Sequence, residues 1–160
     1  MNGWNIRLLE RRDNERMAGI IRACLVEFGG NRAGLAWEDA SLHDLHAHYG
    51  EPGRGYWVAL DGEGEIAGGC GIAAFAGSAG VCELQKMYLL PAARGTGAAG
   101  LLLAEALAFA RGRYRQCYLE TLTSMKAAER FYGKHGFAPL RAPLAGSEHY
   151  ACDAWYIRDL

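Results

Sequence analysis

Apolar residues along this chain change period several times, and each change marks an element. Met17, Ile20, Ile21, Cys24, Leu25 and Phe28 recur at helical spacing, with Asp13 placed as an N-cap and Gly29-Gly30 as the stop. Residues 5–9 ahead of them read as a first strand. Ser41 with Asp44 has the form of a capping box opening a short helix, whose apolar face carries Leu42, Leu45 and Tyr49. Residues 56–60 and 65–75, joined by Asp61-Gly62-Glu63-Gly64, read as a hairpin, and a turn at residues 77–80 leads into a strand ending at Leu90.

The second half alternates. Residues 97–111 are almost wholly apolar and rich in Ala and Leu, so this helix is expected to be covered on most sides. Residues 114–122 read as a strand, residues 125–135 as a helix closed by Gly136, and residues 137–140 and 150–158 as a closing strand pair. The predicted architecture is a single α/β domain over residues 1–160 with one mixed sheet. Its early strands are antiparallel, a parallel βαβ unit lies at its centre, and an antiparallel pair ends it.

Composition removes several function classes. Seventeen basic against eighteen acidic residues give a net charge of −1, which leaves no electrostatic footprint for nucleic acid or an anionic membrane. No apolar run reaches bilayer-spanning length. The charged N-terminal stretch lacks the apolar core of a signal peptide, and the expected location is the cytoplasm. Five scattered cysteines without a C-x-x-C read as reduced, buried thiols rather than a metal or disulfide framework. His43, His46 and His48 read as a solvated face or an acceptor wall, and no metal is expected.

The chemistry concentrates between residues 82 and 100, CELQKMYLLPAARGTGAAG. A strand, a break at Pro91 and a glycine turn lead directly into the apolar helix. Free N–H groups and a partial positive charge at that helix start favour an anion, and Gly95 and Gly97 let a phosphate come close. Arg94 adds a cation at the mouth of the turn. A P-loop is excluded because Ala98 and Ala99, not Lys and Ser or Thr, follow Gly97. Gly95, Gly97 and Gly100 spell G-x-G-x-x-G with Glu120 twenty residues on, yet too little chain follows for a doubly wound NAD or FAD domain.

Two segments resemble the GNAT superfamily of N-acetyltransferases. Residues 94–99, RGTGAA, match its Q/R-x-x-G-x-G/A motif after a strand similar to E-L-x-x-x-Y-V-x-P. Residues 128–137, AERFYGKHGF, resemble its A-x-x-F-Y-x-x-x-G-F segment. The resemblance covers roughly residues 68–140. It implies acetyl-CoA as co-substrate and direct transfer to a small-molecule amine or an amino-acid-like acceptor, with a homodimer as a common arrangement. The backbone of Met87, Tyr88 and Leu89 would pair with the pantetheine arm. Arg94, Gly95, Thr96, Gly97, Ala98, Ala99 and Gly100 would hold the pyrophosphate.

Tyr132 stands where the family places its general acid. Glu83 is the candidate base, directly or through water, with Leu84 and Lys86 expected on the opposite strand face. Met125 replaces an Asn that many members use on the cofactor, and Thr121, Thr123 or Ser124 are the candidate substitutes. Glu27 is a candidate amine-binding carboxylate, and His149, Tyr150 and Cys152 could border the acceptor site. An acyl-CoA sensor without catalysis is one alternative reading, and a NAD- or FAD-binding domain the other.

Overall fold

The computed structural model describes residues 3–160. Among these residues seven strands form one sheet, in the order β1-β2-β3-β4-β5-β7-β6. They are β1 (Asn5–Leu8), β2 (Gly55–Leu60), β3 (Ile66–Ala74), β4 (Val81–Leu89), β5 (Gln116–Thr121), β6 (Ala138–Leu140) and β7 (Ala154–Asp159). The helices are α1 (Asn14–Glu27), α2 (Leu45–Tyr49), α3 (Ala98–Ala110) and α4 (Lys126–Lys134). The mixed sheet and its βαβ centre are as the sequence predicts: β4 and β5 are the parallel neighbours, joined through α3, and the other named pairs are antiparallel. One parallel pair is not a doubly wound sheet, which disposes of the dinucleotide reading of the glycine spacing.

Period-two alternation sorts each strand between two layers. Trp57, Ala59, Cys70, Ile72, Cys82, Leu84, Cys117 and Leu119 face α3 and α4, where they meet Leu102, Leu103, Ala106 and Tyr132. Tyr56, Val58 and Ala73 face α1 and α2, meeting Met17, Ile20, Ile21 and Leu45. This two-sided burial is why β2 and β3 read as continuous apolar runs.

Local details depart from the sequence reading in three places. The last strand starts at Ala154, and residues 149–153 form a loop whose Asp153 accepts from the amide and hydroxyl of Thr123. Asp44, not Ser41, caps α2: its carboxylate accepts from the Ala47 amide at 3.0 Å and from Asn14 Nδ2 at 2.8 Å, while Ser41 sits in the preceding 3-10 turn. Asp13 precedes α1 but makes no cap bond to it. Arg7 and the Glu10 amide claim its carboxylate instead, at 2.6 and 2.7 Å. Short polar side chains bond whichever donor tertiary packing brings nearest, so cap identity is weakly written in local sequence.

Candidate active site

β4 runs beside β5 only from Val81 to Glu83, opposite Gln116 to Tyr118. Beyond Glu83 the two strands part. A bulge causes the change of course: the β3–β4 register shifts between Gly69 and Gly71, and Lys86 takes a left-handed φ of 48°. That conformation is costly for a residue with a Cβ. The Tyr56 hydroxyl secures it, donating to the Lys86 carbonyl at 2.8 Å from a fully buried position. Room for the Tyr56 ring comes from glycine, since a Cβ at Gly69 or Gly71 would fall 2.6 or 2.7 Å from that ring. Tyr56→Phe should therefore cost about 1–3 kcal/mol by leaving a buried carbonyl unpaired, measurable as a lower urea midpoint at unchanged slope.

The bulge also overturns the expected facing of β4. Lys86 shares a face with Glu83 and Gln85 instead of opposing them, and all three border one cavity of about 380 Å³. Asp39, His48, Arg54, Glu120, Glu148 and His149 also border it. Asp39 lies between Lys86 Nζ and His149 Nε2, the latter at 2.9 Å. Burial works against the Asp39 carboxylate, but His149 and Lys86 outweigh it and hold its pKa below the usual range. Burial likewise opposes the His149 charge, and Asp39 reverses that, raising its pKa.

Glu83 is 9% exposed. Burial pushes its carboxyl up to about 7, with Glu120 adding to the rise and the Gln85 side chain opposing it by donating at 2.7 Å. The Tyr49 hydroxyl donates to Gln85 Oε1 at 2.8 Å and so fixes the amide that fixes Glu83. A carboxyl near 7 can accept a proton at neutral pH and release it again. Gln85 escaped the sequence reading, which gave Tyr49 only as a helix-face residue and Glu120 only in the dinucleotide spacing. Their role depends on a bulge and on strand neighbours that no local motif reports.

The parted strands leave a small gap, about 40 Å³, bordered by Leu84, Tyr88, Thr121 and Met125 and continuous with the Glu83 wall. Leu90 donates to the Ala67 carbonyl at 2.8 Å, so alternation turns Tyr88 toward β3 and the amides of Met87 and Leu89 toward the gap. The Leu89 carbonyl is taken by Arg94 Nε at 3.0 Å and by the Cys24 thiol. Tyr132, from α4, is buried among Phe131, Phe137 and Tyr156 on the opposite face of the sheet. Burial raises its phenol pKa well above the ordinary value, so it stays protonated.

At the start of α3, Gly95 and Gly97 have φ of 73° and 94°. No atom lies within 4 Å of a Cβ built on Gly95, Gly97 or Gly100, so conformation and an open approach, not crowding, call for glycine there. The Arg94 amide is used by Pro91 and that of Leu101 by Gly97. The first amides of α3 between them belong to the turn that a helix leaves unpaired. Thr96 donates its hydroxyl to the Ala93 carbonyl, and Ala98 is buried beneath the turn.

Several candidates sit elsewhere than expected. The Arg94 guanidinium turns away from the glycine turn and grips Glu27 at 2.6 and 2.8 Å, so Glu27 braces α1 and does not line the Glu83 cavity. Thr123 is held by Asp153 and Thr121 contacts the Met125 sulfur at 3.5 Å, whereas Ser124 is exposed. His43 is exposed, His46 borders a different cavity and His48 borders the Glu83 cavity. His149 and Cys152 border the gap, while Tyr150 is 76% exposed. Among the described residues no three His, Cys, Asp or Glu side chains group to hold a metal, and no helix is long and apolar enough to cross a membrane.

With this geometry in place, comparisons with known proteins converge. The model of the acetyltransferase (GNAT) family matches residues 15–137. The chain is 39% identical over 158 residues to the uncharacterized N-acetyltransferase YjgM of Escherichia coli K12, covering 97% of this chain and 94% of that protein. The crystal structure of a GNAT-family acetyltransferase from Staphylococcus aureus Mu50 superposes with a TM-score of 0.87 at 20% identity, over 98% of this chain and 99% of the other. A Sinorhizobium meliloti phosphinothricin acetyltransferase of the same superfamily, crystallised with AcCoA, gives 0.78 at 21% identity, over 99% and 89%.

Proposed function

The chain belongs to the acetyltransferase (GNAT) family and is an N-acetyltransferase, and on that premise we propose that it carries acetyl from acetyl-CoA directly to the primary amine of a small molecule. One observation carries the reading. The gap where β4 leaves β5 has an anion-suited helix start near one end of β4 and a carboxyl of pKa about 7 at the other. When bound, acetyl-CoA supplies a thioester whose carbonyl accepts the amine and whose sulfur departs as thiolate. The rest falls to this chain. Amides of Gly95, Thr96, Gly97, Ala99 and Gly100 hold the pyrophosphate, aided by the α3 dipole. Main-chain groups of Met87, Tyr88 and Leu89 run beside the pantetheine arm as an added strand would, and Ser124 offers a hydroxyl near the start of α4.

Glu83 takes the proton that an ammonium must lose before it can attack, directly or through water. Tyr132 holds a proton on its phenol oxygen for the leaving sulfur. The two groups stand on opposite faces of the sheet, so proton removal and proton delivery are kept apart, and no acyl-enzyme is required.

Free-thiol release across an amine library, followed by mass measurement of the product, tests the proposal: an N-acetylated amine is expected. No thiol release with any amine, in a protein whose Tm acetyl-CoA nevertheless raises, would leave a binding protein instead. Gly97→Val tests the phosphate site separately. A β-branched residue at φ 94° distorts the turn, and the expected result is roughly a tenfold or greater rise in the acetyl-CoA Kd by calorimetry. Unchanged affinity would move the pyrophosphate elsewhere.

A further inference from the structure

We infer that the acceptor carries an anionic group, a carboxylate or its equivalent, a few bonds from its amine, and that Arg54 binds it. This deepens the transferase reading and rests on it. The register of the sheet supplies the first argument. Gly55 pairs with Ile72, and Ala73 pairs with Glu83. Continuing the β2–β3 register by one residue sets Arg54 opposite Ala73, so Arg54, Ala73 and Glu83 form a row across the sheet. Arg54 and Glu83 are then two strand spacings apart, roughly 10 Å between Cα atoms. All three border the 380 Å³ cavity. Ala73, buried at 5% exposure, contributes only a methyl group to the wall between the two charges.

Charge gives the second argument. At the Glu83 end the cavity is acidic, with Glu120 beside Glu83 and held by the hydroxyls of Tyr118 and Ser147. An ammonium is suited to that end. Among the cations on the wall, Lys86 and His149 both spend their charge on Asp39. Burial, with Arg54 and Lys86 nearby, lowers the pKa of His48, so it adds little charge.

Arg54 differs from these. Its guanidinium donates through Nη1 to the His48 carbonyl at 3.0 Å, which fixes its place, and among the described residues it meets no carboxylate. The remaining N–H groups keep the planar fork that suits carboxylate or phosphinate oxygens. A cavity acidic at one end and cationic at the other discriminates against diamines and polyamines, whose second ammonium would meet Arg54.

Steady-state kinetics on matched acceptors tests the inference. Suitable probes are L-phenylalanine, L-alanine, β-alanine and 4-aminobutyrate, each beside its carboxamide and its decarboxylated amine, with putrescine and spermidine added. For at least one family, kcat/KM for the carboxylate should exceed that for the amide by about 10- to 100-fold, the worth of one charge-assisted pair. Arg54→Gln should bring that ratio to about threefold or less, Arg54→Lys should keep part of it, and Arg54→Glu should shift preference toward diamines.

A ratio near one in the native enzyme, a ratio unchanged in Arg54→Gln, or diamines as the best native acceptors would each overturn the inference while leaving the transferase intact. Loss of all thiol release with every amine, in native protein, would instead remove the transferase reading and this inference with it. Arg54→Lys guards against a folding defect in the glutamine variant, since it keeps the charge in the same half-buried place.

Discussion

Glu83→Gln should lower kcat by about 10²- to 10³-fold while leaving the acetyl-CoA-induced rise in Tm in place. The expectation follows from burial. Glu83 is 9% exposed with a carboxyl pKa of about 7, and in the folded state the Gln85 amide, with His149 and Lys86, favours its ionised form while burial and Glu120 oppose it. The native kcat/KM should rise with pH through a limb near 7, as this group ionises, and the limb should vanish in the variant.

Stability should move the other way. A folded pKa above the ordinary 4.5 means that the folded state keeps a proton the unfolded chain releases between pH 4.5 and about 7. Stability therefore falls as pH climbs through that window and stays reduced above it. Glutamine carries no such charge, so its Tm should exceed the native one by roughly 3 °C near pH 8 and match it near pH 4. Equal rates for variant and native enzyme across the pH range would remove Glu83 from the chemistry. A lower Tm for the variant at alkaline pH would contradict the burial argument.

Tyr132→Phe should reduce kcat by about 10- to 100-fold with little change in acetyl-CoA affinity. The substitution keeps the ring that packs against Phe131, Phe137 and Tyr156 and removes only the hydroxyl. Among the described residues no protein group accepts from or donates to that hydroxyl, so the variant leaves no partner stranded, and Tm should fall by no more than about 2 °C. Single-turnover rates distinguish the two roles of the residue. A slowed acyl-transfer step assigns the phenol to the leaving sulfur, whereas an unchanged step with a lowered Tm makes it a packing residue.

Much of this site is written locally. Gly95 and Gly97 adopt the left-handed conformations that the glycine turn promises, and the apolar run after them becomes α3, buried as its composition demands. Glu83 and Tyr132 were singled out as candidates from short segments that resemble the family's. The supporting groups were not. Gln85 and Tyr49 act on Glu83 through a bond from α2 to β4, thirty-six residues apart. Arg94, placed by sequence at the phosphate turn, pairs with Glu27 of α1, sixty-seven residues away in sequence and brought near only by the fold.

Periodicity and turn chemistry, on their own, determined most of the strands and helices, that one βαβ unit lies at the centre, and that glycines with left-handed backbone lead into α3. Those properties depend on backbone conformation and on neighbours within a few residues. Tertiary structure alone decided that β4 bulges at Lys86 under the hydroxyl of Tyr56. That single left-handed residue turns Lys86 to the Glu83 face and changes the strand's course where it parts from β5. A strand's facing holds only while its register holds, and register is set by the partner strands rather than by the strand's own sequence.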